Sequence, residues 1–93
     1  MGDKELLELA AKAAGDLVDG PIGPVWNPLN DDGDALRLAV SLGIGMVHHL
    51  GWGQVFHPKF DGERIDFHYD PDAQTAMRRA IVRAAAELGK MES

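Results

Sequence analysis

The chain has 93 residues, a net charge of −6 and no cysteine, so disulfides, thiolate metal sites and thiol nucleophiles are excluded. A hydrophobic content of 45% marks a folded chain, yet no apolar run reaches the length of a membrane span. The expectation is a single domain over residues 1–93, soluble and cytoplasmic, opening without a secretory signal. At this size the radius of gyration should be about 12 Å, which leaves little volume for an internal ligand cavity.

The first helix is predicted to start at Asp3 as N-cap. Leu6, Leu9, Ala10, Ala13 and Leu17 recur at spacings of three and four, and the end falls at Gly15 or as far on as Val18. Gly20-Pro21-Ile22-Gly23-Pro24 then breaks regular structure. A second helix is predicted after Asn30 as N-cap, with Asp31, Asp32 and Asp34 in its first turn, where the helix dipole favours negative charge. Its apolar stripe reads Leu36, Ala39 and Val40, widened by Leu38 and Leu42, and Gly43 followed by Ile44 is a Schellman-type end.

Strands are predicted over 44–50, 54–57 and 64–69, with Gly51-Trp52-Gly53 as the first turn and Asp61-Gly62 as the second. The third is the clearest, because Ile65, Phe67 and Tyr69 alternate with Arg64, Asp66 and His68. The last helix is predicted from Asp70 as N-cap and Pro71 at the first helical position. Met77, Ala80, Ile81, Ala84 and Leu88 are its buried stripe, Gly89 its terminator, and Arg78, Arg79 and Arg83 its solvated face. Short connections require antiparallel pairing. The fold class is therefore α+β, a three-stranded antiparallel meander with three helices in the order α-α-β-β-β-α.

Motifs for chemistry are scarce. The hydroxyl side chains other than Tyr69 are Ser41, Thr75 and Ser93, and no nucleophile elbow is present. Gly43-Ile44-Gly45-Met46-Val47-His48 lacks the third glycine of a dinucleotide fingerprint and follows a helix rather than a strand. Asp31-Asp32-Gly33-Asp34 fails as a calcium loop, because a glycine at position six puts Pro28 where a carboxylate is needed. Helix capping is the plainer use of those acids. No cofactor is implied, and the chain reads as a non-enzyme.

Two features point outward. All the excess negative charge lies in residues 1–34, which hold eight acids against two bases; this repels nucleic acid and attracts a basic protein surface. Asp16, Asp19, Asp31, Asp32 and Asp34 are the expected partner-binding acids. Trp52, flanked by glycines, is the expected aromatic contact. His48 or His49, with His57 and His68, would make a zinc or nickel site if the meander brought them together, or a base beside Asp66.

The run from Trp26-Asn27-Pro28-Leu29-Asn30-Asp31-Asp32-Gly33-Asp34 to Val40, and the run from Asp70-Pro71-Asp72 through Met77-Arg78-Arg79-Ala80-Ile81-Val82-Arg83 to Glu87, resemble small accessory proteins of phages and prophages of Gram-negative bacteria. Those proteins are loosely similar to phage α-β-α sandwich domains. The resemblance carries no catalytic motif. It implies a phage-encoded factor in the cytoplasm of a bacterial host, binding a host protein and acting, in the manner of an anti-CRISPR, on a nucleic-acid-targeting defence complex. A histidine-based metal-binding or hydrolytic module and a structural homo-oligomer, such as a homodimer, are the alternatives.

Overall fold

Alanine governs the packing of the longest helix. In α3 (Ala73–Met91) the buried residues are Ala80, Ile81, Val82, Ala84, Ala85, Ala86, Leu88 and Gly89, which go more than half-way round the helix. Small side chains let neighbours approach from several sides at once, so α3 is the central member. The computed structural model describes residues 2–15 and 26–91. In it, α1 (Asp3–Ala14) and α2 (Asp32–Leu42) both pack on α3, which also lies against β2 (Trp52–Phe56) and β3 (Arg64–His68). With β1 (Gly45–His49) these strands form an antiparallel sheet in the order β1-β2-β3, so the α-α-β-β-β-α meander is the observed fold. A short 3-10 helix, Pro58–Phe60, joins β2 to β3.

One buried cluster runs through all three helices and the inner side of the sheet. Leu38, Ile81, Val55 and Val82 are fully buried, each worth roughly 1.5–3 kcal/mol relative to exposure. The radius of gyration is 12.3 Å, the size expected for one domain of this length.

Several boundaries differ from the sequence expectation. Gly2, not Asp3, occupies the N-cap of α1. Asp3 instead pairs with Arg79 of α3 at 2.7 Å, which lowers its carboxyl below the ordinary value. The helix ends at Gly15, and the alternative end at Val18 lies outside the described residues. Asp31 rather than Asn30 caps α2, accepting the Asp34 N–H. The α3 cap is Asp72, which accepts from Gln74 N–H and the Thr75 hydroxyl, so Asp70 and Pro71 precede the helix.

The buried stripe of α2 is Ala35, Leu38 and Ala39, whereas Leu36 and Val40 are exposed (56% and 73%). The cause is that the apolar residues of α2 spread beyond the one side that α3 covers. The Schellman end is as expected: Gly43 is left-handed at φ 73°, and Ile44 N–H reaches Ala39 O at 2.9 Å. Gly89 does not terminate α3, which continues to Met91. A Cβ there would stand 2.1 Å from the Leu9 carbonyl oxygen, so the glycine is the notch through which α1 and α3 meet.

Candidate functional site

The register of the meander sorts the sheet residues onto two faces. Val55 and Phe67 are buried on the inner face, with Met46 and Ile65 packed beside the core. The outer face is a grid of three rows: His49, Trp52 and His68; then Val47, Gln54 and Asp66; then Gly45, Phe56 and Arg64. His49, Arg64, Asp66 and His68 are exposed, and the other outer residues are half-buried.

Each row is braced laterally. His49 stacks on Trp52 with ring centres 4.2 Å apart and planes 19° from parallel. Gln54 donates to Asp66 at 2.9 Å and accepts from Arg64 at 3.3 Å, so the amide links two opposite charges on β3. The Arg64 guanidinium lies 4.8 Å from the centre of the Phe56 ring, and that ring covers Gly45 on β1, where any Cβ would collide with it. The result is a flat, preorganised surface of aromatic and polar groups.

Trp52 was expected at the hairpin turn and lies instead in β2, with Leu50-Gly51 forming the turn. Its position puts it at the centre of the first row. The reason is that a two-residue turn suffices once Gly51 takes φ 84°.

The acids after Trp26 are all bonded within the chain, although Asp31 and Asp32 remain exposed. Asp34 is buried at 7% exposure; it accepts the Asn27 N–H at 2.9 Å and pairs with Arg37. Asp31 is the cap of α2, and Asp32 pairs with Arg78, whose Nε–H also donates to Leu29 O at 3.0 Å. Arg78 is thus a bolt between α3 and the turn before α2, not part of a solvated face. Asp16 and Asp19 lie outside the described residues.

The histidines do not converge. His48 is on the inner face, its Nδ1 hydrogen-bonded with the Tyr69 hydroxyl at 2.5 Å. His57 sits at the far end of β2, with Nε2 2.9 Å from Leu42 O and Nδ1 accepting from Lys59 N–H. His49 and His68 share the outer face but are two strand spacings apart, about 10 Å, with Trp52 between them. Among the described residues no three His, Asp or Glu side chains are placed to hold a metal ion. Asp66 is held by Gln54 rather than by an imidazole.

An open surface cleft of about 420 Å³ lies beside the end of α3, between Phe60 and Met91, with Arg83 and Glu87 on its rim. It opens to solvent rather than being enclosed. Among the described residues no helix is long and apolar enough to cross a membrane. Comparisons with protein-family profiles, curated proteins and solved structures gave no match.

Sequence reasoning missed His49, Gln54, Phe56 and Arg64 as members of one surface. In 52–56 the outward set Trp52, Gln54 and Phe56 has no common polarity, so no periodic signal marks it, and only the pairing register joins it to β1 and β3.

Proposed function

We propose that the protein is a non-enzymatic interaction module that binds a partner protein through the outer face of its sheet, with Trp52 as the anchor. The observation that carries this reading is the braced grid around the His49–Trp52 stack, left to solvent beside a core that fills the opposite face. Flat aromatic surfaces with a polar rim suit protein contacts, and tryptophan and arginine are enriched at the residues that dominate them. The net charge of −6 favours a basic partner and disfavours a phosphate backbone.

The partner is a host protein in the bacterial cytoplasm, in the reading drawn from the resemblance of the two end blocks to phage accessory proteins. A nucleic-acid-targeting defence complex is the proposed target class. At the start of α2 Asp34 is buried, while Asp31 and Asp32 stay exposed and add to the field that draws a basic partner.

Parallel affinity captures with the wild type and Trp52→Ala test this. A saturable partner should be retained by the wild type, released as salt rises, and bound at least about 30-fold more weakly by the variant. Equal capture by both chains, or affinity independent of salt, would reject the reading.

A further inference from the structure

Between Arg37 and Lys59 the chain has 21 residues, 38–58, without a single Asp, Glu, Lys or Arg. That stretch contains the last turn of α2 and the whole β1–β2 hairpin. β1 is an edge strand, so one side of its backbone has no neighbour in the sheet. Protein edges are usually protected from pairing by charge. The other edge, β3, is protected in this way by Arg64 and Asp66. β1 reads Gly45-Met46-Val47-His48-His49 and has no charge once its imidazoles are neutral.

Which backbone groups of β1 are free follows from the ladder. Tyr69 N–H donates to Gly51 O at 3.1 Å, which continues the β2–β3 pairing by one step. Odd-numbered residues of β2 therefore face β3, and even-numbered ones face β1. Through the register Val47↔Gln54 and His49↔Trp52, the residues of β1 bonded to β2 are 45, 47 and 49. The N–H and C=O groups of Met46 and His48 point away from the sheet, and among the described residues nothing is hydrogen-bonded to them.

We infer that a second copy of this chain occupies this edge, β1 pairing antiparallel with β1 across a two-fold axis at Val47 to give a continuous six-stranded sheet. Only this register overlaps all five residues of both strands, and it brings the two free sets into match: Met46 of each copy faces His48 of the other. Gly45 stands opposite His49 of the second copy, and Leu50, fully exposed at the hairpin tip, stands opposite Ile44 of the second copy. Ile44 follows directly on α2, whose Val40 is 73% exposed. An acidic chain meets its copy along its longest segment without like charges. The joined outer faces double the surface assigned to partner binding, but the inference does not depend on that assignment.

The experiment is sedimentation equilibrium of the purified chain alone over a hundredfold concentration range. The wild type should move from monomer to dimer and no further, because an isologous pair consumes the β1 edge. Val47→Lys and Val47→Glu, on the half-exposed outer face, should each remain monomeric with unchanged circular dichroism, and an equimolar mixture should regain the dimer. His48→Pro, which removes an N–H that the hairpin does not use, should also be monomeric. A wild type that stays monomeric throughout, single Val47 variants that still dimerise, or growth beyond the dimer would overturn the pairing. Trp52→Ala should dimerise normally, which separates this result from the partner-binding test.

Discussion

The turn that opens α2 and the hairpin that follows the same helix treat polarity in opposite ways. In the turn, three acids are all engaged: Asp31 caps, Asp32 bridges to Arg78, and Asp34 is buried on Asn27 N–H and Arg37. The hairpin itself holds no Asp, Glu, Lys or Arg, and its outward groups stack on one another or reach the charged Arg64 and Asp66 of β3. Acids grouped in sequence can be taken up by structural bonds, whereas the outer face of the sheet, braced by Gln54 between Asp66 and Arg64, leaves its aromatic stack open to solvent. Stability should therefore be concentrated in the helical side, and association in the sheet.

Substitutions sharpen that contrast, beginning with the largest effect. Gly89→Ala forces a Cβ against the Leu9 backbone, which cannot move without shifting α1; it should lower unfolding free energy by about 3 kcal/mol, read from the urea midpoint. Asp34→Ala removes two charge-assisted bonds at a buried site and should cost about 2 kcal/mol, against about 1 kcal/mol for the cap variant Asp31→Ala. If both acids proved neutral to stability, the turn would be free for contacts and the comparison would break. Gln54→Ala, on the outer face, should change stability by less than about 0.5 kcal/mol.

The smallest effect is one of pH. The Thr75 hydroxyl, followed by the backbone N–H of Gln74, holds the Asp72 carboxyl below its ordinary value of 3.8. A lowered folded-state value means that the stabilisation is complete above about pH 4 and is lost as pH falls through the lowered value. Thr75→Val should move the Asp72 titration, followed by carboxyl NMR, upward toward 3.8.

Much of the fold was legible because its signals are local. Alternation in 64–68 gave β3, the Gly43-Ile44 pair gave the end of α2, and short connections gave the meander. What was not legible depends on partners distant in sequence. Leu36 and Val40 look as buried as Leu38 and Ala39 until α3 selects one side of the helix. Gly89 has the spacing of a terminator, and only the closeness of α1 makes it a notch. The three acids of the turn are alike in composition and differ only in what lies beside them. The outer grid needed the register, which a list of strands does not contain.

The bond from Tyr69 N–H to Gly51 O fastens the tip of the first hairpin to the end of the third strand. The Leu50-Gly51 bend is therefore a poor place to splice in a foreign peptide or to reopen the chain by circular permutation. The Asp61-Gly62 bend, exposed at the opposite end, is the better port for an epitope or a fluorophore. A label placed there reports on the sheet without prising its strands apart.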